Sequence, residues 1–512
     1  FVRPRTNNGR DMLFNSYIFL FAFLPLTLVG FAVLSRMDHS KWIIPWLLAM
    51  SLVFYGWWQP IYLALLLGSV IANFLIGASI AQGARTGQPR TGVLFFGVAG
   101  NLALIGWFKY LGFFAGISDA LMGTEFGFVD VALPLAISFF TFQQIAYLVD
   151  CHRGLAGEPS ILKYALFVTF FPQLIAGPIV HHSEVMRQYE TAFSRGPSAL
   201  NLAIGVTLIA VGLFKKVVIA DNLALYATPV FADADAGGTI GFARAWAGTL
   251  AYTLQIYFDF SGYSDMAVGL ARLFGIRLPI NFFSPYKATS IIEFWRRWHI
   301  TLSRFLRDYL YIPLGGSRYG SFRRYANLMM TMLLGGLWHG AGWSFVIWGG
   351  LHGVFLIINH AWQFATKDFK WLRRNVGVQI VSWAMTILAV SFAWVFFRAD
   401  TFDGAMAVVN GLIGVNDILP SMGLISGEVY ADAGTGKRVW RWLLIAGVIA
   451  VLCPNIYQIM RRYRPALGQP NHKTRLPLRW RPTTVWAGIT GLILVASLVL
   501  LTQVSEFLYF RF

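Results

Sequence analysis

Apolar runs of about 20 residues recur along nearly the whole chain, and no other feature restricts its fold as strongly. Each is long enough to cross about 30 Å of hydrocarbon as a helix, the state that satisfies every backbone N–H and C=O within its own segment. The runs are continuous rather than alternating, which disfavours a strand barrel. Candidate spans fall at 15 to 35, 42 to 58, 60 to 81, 92 to 115, 131 to 149, 199 to 222, 243 to 270, 326 to 338, 343 to 362, 377 to 397, 438 to 459 and 484 to 504. Their even number puts both termini outside. With 57% hydrophobic and 12% charged residues, the chain has too little charge to cover a soluble globule of 512 residues. An all-α polytopic membrane protein is expected.

The run from 17 to 34 is expected to be retained, because no small-residue cleavage site follows it before Arg36 and Lys41. Residues 1 to 11 precede Met12, which reads as a natural start, and are set aside as an N-terminal extension to a single integral membrane domain over 12 to 512. Cys151 and Cys453 make no disulfide framework and lack metal-ligand spacing, so no metal and no bound cofactor is expected.

A net charge of +18 would suit a nucleic-acid binder, yet the cations sit in short loops between apolar runs. Positive-inside asymmetry explains them better. Basic loops at 82 to 91 (Arg85, Arg90), 363 to 376 (Lys367, Lys370, Arg373, Arg374) and 461 to 481 (Arg461, Arg462, Arg464, Lys473, Arg475, Arg479, Arg481) should be cytoplasmic. Loops at 117 to 130 (Asp119, Glu125, Asp130), 226 to 240 (Asp233, Asp235) and 399 to 436 (Asp400, Asp403, Asp417, Glu428, Asp432) carry acidic excess and should face outward.

That assignment requires residues 161 to 180, ILKYALFVTFFPQLIAGPIV, to dip in and return, with Pro172 and Gly177-Pro178 as helix breaks. A second non-crossing region lies within 272 to 324, with an interfacial or re-entrant part at 289 to 314. Its helical part, 291 to 311, sets Trp295, His299, Leu302 and Leu306 on one side and Arg297, Arg304 and Arg307 on another. The next span, 326 to 338, is only about 20 Å long, so His339 should end near mid-depth.

His339 stands in GGLWHGAGWSFVIWGGLHG, among glycines that leave room for a substrate or for close packing, with Trp338 and Trp343 as candidate walls. An imidazole is neutral at physiological pH and can take a hydroxyl proton, whereas lipid-facing helices gain nothing from it. The alternative is a structural histidine bonded to a carbonyl. His299, in FWRRWHITLS, is either a polar group lining an entrance, near Ser303, or a bonded residue of an interfacial helix. Eight cations from Lys287 to Arg324, including Arg296, Arg297 and Arg304, offer counter-charge to a phosphorylated carrier, and equally to lipid headgroups. In YFDFSGYSDMAVGLAR, Asp259 and Asp265 should be paired, protonated or facing water, Asp265 interacting through neighbours with Arg272 on the same helical face or with Arg296 or Arg297; they fix helix packing or take part in chemistry. His181-His182 lacks a third ligand for zinc. His352 and His360 read as structural, His352 lying thirteen residues from His339 and hence on the opposite helical face.

Together, EFWRRWHITLSRFLRDYLYIPLGG and the His339 stretch resemble the membrane-bound O-acyltransferase family, in particular its bacterial alginate O-acetyltransferase branch, with the teichoic-acid D-alanyl transfer protein more distant. MLFNSYIFLFAFLPL, FFPQLIAGPIV, YFDFSGYSDMAVGLARLFGI, NFFSPYKA and the terminal FLYFRF extend the likeness over most of the chain. The resemblance implies a ring of helices around a thin core, a donor entrance on the cytoplasmic side and an acceptor funnel outside. It assigns His339 as the catalytic histidine and His299 as the second signature position. The expected reaction moves an acetyl group from a thioester, acetyl-CoA, to an acceptor hydroxyl with His339 as base, and a backbone N–H or the Trp338 indole at the oxyanion. Direct transfer and an acyl-enzyme both remain open. The resemblance further implies the bacterial inner membrane, a polysaccharide acceptor such as alginate and a periplasmic acyltransferase partner. Peptidoglycan, cellulose or a lipid are alternative acceptors, and a transporter coupled through Asp259, Asp265 and His339 is an alternative class.

Overall fold

Regular structure is helical wherever the computed structural model describes the chain, apart from one isolated bridge between Pro279 and Leu467. The described residues are 12–37, 40–123, 132–175, 177–369, 371–372, 375–421, 436–470 and 478–501. The extension at 1–11, the terminal FLYFRF and the loop charges Glu125, Asp130, Lys370, Arg373, Arg374, Glu428, Asp432, Lys473 and Arg475 lie outside them.

Among the described residues six stretches are long and apolar enough to cross a membrane: Phe19–Arg36, Ile61–Arg85, Thr91–Met122, Ala199–Asp235, Trp343–Ala365 and Val376–Arg398. Ile43–Gly56 and Thr484–Leu500 are equally apolar but shorter. The central helix, Phe242–Leu273, is different in kind. It runs about 48 Å at 1.5 Å per residue, and 27 of its 32 residues are buried. One large apolar cluster packs on its later half, around Tyr263 and Leu270, and another on its earlier half, around Tyr252 and Phe258.

Ala199–Leu213 lies against this helix with almost no side chain between the backbones. A Cβ on Gly212 would sit 2.5 Å from the Gly262 carbonyl, and one on Gly269 would sit 2.8 Å from that of Gly205. Small residues are what permit such an approach. A π turn, Phe214–Ala220, then swings Lys215 and Lys216 toward the core. Lys215 pairs with Asp265 at 2.6 Å, and Lys216 with Asp259 and Asp221 at 2.7 Å each. Asp265 therefore takes its partner from a neighbouring helix rather than from Arg272, Arg296 or Arg297. Seven residues of helix put Arg272 about 10 Å further along, so the close ion pair is the one with Lys215.

Several boundaries differ from the expected ones. The helix beginning at Lys437 ends at Val451, ahead of Pro454, and does not continue to 459 as a span. In the 161 to 180 segment, Ile161–Thr169 stops at Phe170 and Phe171–Leu174 starts a new turn. Pro172 sits in that first turn, where its missing N–H costs nothing, and the expected break lies just ahead of it at Phe170. Residues 164 to 175 are buried throughout.

Candidate active site

The expected continuous helix over 291 to 311 is interrupted. Ile291–Trp295 is capped by Ser290, whose Oγ accepts from the Glu293 N–H. The chain then passes through His299 in the left-handed region (φ 41°, ψ 53°) and restarts as Ile300–Leu306. A histidine there costs backbone energy, so packing must hold it. Its ring is fully buried, edge-on to Phe260 at 4.8 Å between centroids. The break turns His299 inward independently of the helical face that the sequence suggested.

His339 is reached from the other direction. Its helix, Gly320–His339, is longer than expected, and the added first turns carry Arg323 and Arg324. The chain reverses over Gly340, Ala341 and Gly342 and returns as Trp343–Ala365. The two legs touch backbone to backbone: a Cβ on Gly336 would lie 2.2 Å from the Phe345 carbonyl, and one on Gly349 2.3 Å from that of Met332. This contact carries Trp348 to the His339 ring, with centroids 5.1 Å apart. His352 also packs on Trp348, at 4.9 Å between centroids. The expected opposition of His339 and His352 assumed one helix running through position 340; the reversal brings both rings to the same tryptophan.

His299 and His339 meet, ring centroids 6.4 Å apart. His339 is 6% exposed, enclosed by Trp338, Trp348 and Phe397. Its Nδ1 has no hydrogen-bond partner among the described residues. For His299 the hydrogen-bond network defines the tautomer. Asn281 Nδ2 donates to Ser264 Oγ at 3.3 Å, while Asn281 Oδ1 accepts from the Thr301 hydroxyl at 2.9 Å and its N–H at 3.3 Å. Oδ1 stands 3.1 Å from His299 Nδ1, so Nδ1 must be the protonated donor. The Nε2 lone pair is left free, buried and unpartnered among the described residues. A neutral imidazole with one nitrogen anchored and the other available is what proton transfer requires.

The remaining sequence candidates divide. Trp338 belongs to the centre: it is buried, stacked on Phe142 at 5.3 Å, with its indole N–H unpartnered among the described residues. Trp343 does not, being 59% exposed and lying against Phe113; Trp348 provides the wall expected of it. Ser303 forms no dyad with His299, since its hydroxyl reaches the Trp298 carbonyl at 3.4 Å. Asp265 is held by Lys215. Arg304 makes a two-pronged pair with Glu184 at 2.7 and 3.0 Å, and Arg297 pairs with Glu293 at 2.6 Å. Both spend charge on the protein's own carboxylates. Arg296 is exposed and lines, with Glu293, Arg297 and His360, a cavity of about 540 Å³ that contains neither catalytic candidate. Burial pushes the Glu293 carboxyl up, but hydrogen bonds from Thr289 and the Arg297 charge outweigh it and hold it below the usual range.

Reasoning from sequence missed four contributors. Asn281 and Thr301 were read only as parts of longer motifs. Lys109 and Tyr110 passed as members of a span, yet Lys109 Nζ donates to the Trp338 and His339 carbonyls at 2.5 and 3.1 Å, and Tyr110 Oη to that of Leu337 at 2.8 Å. Lys109 carried a legible signal, an ionisable group inside an apolar run.

Helices of this length and apolarity, with two histidines meeting in a buried aromatic enclosure, define a polytopic membrane protein with a polar centre. The family model described as MBOAT, membrane-bound O-acyltransferase family, matches residues 101–398, more than half of the chain, and the chain belongs to that family. It is 44% identical over 434 residues to a peptidoglycan O-acetyltransferase of Helicobacter pylori, covering 80% of this chain and 81% of that one. It is 40% identical over 517 residues to a probable alginate O-acetylase of Pseudomonas putida, covering 98% of this chain and all of that one. A teichoic acid D-alanyltransferase of Streptococcus thermophilus is 28% identical over 253 residues, 48% of this chain and 61% of that one. The protein is an acyltransferase of the bacterial inner membrane, crossing it several times.

Proposed function

We propose that this acyltransferase takes an acetyl group from acetyl-CoA on the basic-loop side of the membrane and delivers it outward for O-acetylation of an exported polysaccharide. The observation that carries this reading is the meeting of His299 and His339, each with a buried ring nitrogen unpartnered among the described residues. The acceptor oxygen attacks the thioester carbonyl while His339 takes its proton. The tetrahedral intermediate then expels the thiolate, which recovers that proton from the imidazolium. Trp338 offers an N–H for the oxyanion, and His299, neutral and anchored through Asn281, adds no positive charge beside the base.

Arg296 and its cavity are the proposed seat for the donor's phosphates. His360, on the cavity wall, and Trp348, beside His339, are twelve residues apart on one helix, about 18 Å. An extended arm must cover that distance and part the aromatic enclosure. Both polysaccharide-modifying relatives support a sugar hydroxyl as acceptor, alginate or peptidoglycan; on the family resemblance alone, a periplasmic acyltransferase completes delivery. Against a transporter coupled through Asp259 and Asp265 stands their close pairing with Lys216 and Lys215.

The test compares ester-linked acetate on exopolysaccharide and on peptidoglycan from cells carrying the parent, His339→Ala or His299→Ala at matched abundance. Loss from one polymer with both variants is expected and identifies the acceptor. Unchanged acetate on both polymers with His339→Ala contradicts the reading.

A further inference from the structure

The Gly320–His339 helix ends without a cap of its own. Gly340 leaves it in extended backbone (φ −160°, ψ 147°), so no left-handed residue folds an N–H back onto the last turn. Carbonyls at a helix end carry partial negative charge, and in a dry interior each needs a donor. Three of them are satisfied by two adjacent residues more than 220 positions away: Tyr110 Oη donates to Leu337, and Lys109 Nζ to both Trp338 and His339.

The supplying segment is built for this. Thr91–Ile105 and Leu111–Met122 form one apolar stretch of 32 residues, interrupted by a π turn over Gly106–Tyr110. Adjacent residues of an α-helix diverge by about 100°, whereas a π turn inserts an extra residue and re-aims the side chains within it. Lys109 and Tyr110 are the last two residues of that turn, and both reach the same helix end. Around them Trp107 and Phe114 stay exposed. An ammonium in such a stretch is costly unless it finds compensating charge, which the helix terminus provides. The ammonium also lies 5.9 Å from the centre of the Trp338 ring.

We propose that Lys109, assisted by Tyr110, is a positioning residue: by holding the carbonyls of the last turn it fixes the height and orientation of the His339 ring against His299. Lys109 acts on backbone, so it sets the rate of the transfer step rather than the affinity for donor. This rests on the reading of His339 as the base.

The experiment follows label from radioactive acetyl-CoA into polymer, in membranes from the native strain containing the full chain and its partners. The parent is compared with Lys109→Met, Lys109→Arg, Tyr110→Phe and His339→Ala at quantified abundance. Methionine matches the lysine stem and suits an apolar segment, but donates nothing. Expected is a fall in kcat of about tenfold for Lys109→Met, equal to about 1.4 kcal/mol of barrier, with KM for acetyl-CoA within about twofold. Lys109→Arg, which keeps the cation and its donors, should retain at least about a third of the parental kcat, and Tyr110→Phe should lose about threefold. Parental kcat in Lys109→Met, or arginine no better than methionine, overturns the proposal. Should Lys109→Met fail to accumulate, Tyr110→Phe decides, and an unchanged kcat there overturns it. An active His339→Ala refutes the reading of the base, whereas an inactive His339→Ala beside a fully active Lys109→Met refutes only the role given to Lys109.

Discussion

Two stretches of equal length, Thr91–Met122 and Phe242–Leu273, sit in this molecule in opposite ways. In the first, only Gly97, Asn101, Ile105 and Ala115 are buried, and Phe95 and Phe96 are largely exposed. In the second, 27 of 32 residues are buried, including Asp259, Asp265 and Arg272. The most apolar surface faces outward and the charges face inward, the reverse of a soluble protein. Lipid is as apolar as leucine, so burying leucine against protein gains little there, whereas a charge must find protein partners. Lys109 obeys the second rule from within a segment governed by the first.

The contrast is broken most severely at the core ion pairs. Lys215→Met leaves Asp265 buried without its partner, a loss of about 3–5 kcal/mol for a buried pair, and should sharply reduce folded protein in membranes. The double variant Lys215→Met with Asp265→Leu should recover most of that abundance, read by fluorescence size-exclusion chromatography. A smaller effect is expected at Asn281→Leu, which removes the acceptor that fixes the His299 tautomer: transfer should fall about tenfold at unchanged abundance. The smallest effect belongs to the periphery, where Phe96→Leu should change thermal stability by less than about 0.5 kcal/mol and leave transfer intact. A large loss there would show that Thr91–Met122 contacts more than lipid.

The membrane architecture was legible because apolar length is a local property, read directly from runs such as 377 to 397, observed as Val376–Arg398. His299 and His339 stood out for a related reason, as ionisable rings in apolar surroundings, but so did His352, and only the resemblance to family motifs singled the two out. What failed depended on partners distant in sequence. Nothing near Asp265 names Lys215, and nothing near His339 names Lys109. The left-handed break at His299 has no glycine to announce it, and the hairpin at Gly340–Gly342 defeated a helical-face argument that was sound for one unbroken helix.

The paired-histidine account is tested most directly by purified protein and one acetyl-CoA turnover. With the periplasmic partner supplied, the rate at which labelled acetate leaves CoA for an oligosaccharide acceptor should fall at least about 100-fold in His339→Ala, with the helical signal and elution profile of the parent preserved. Transfer at the parental rate by that variant would contradict it.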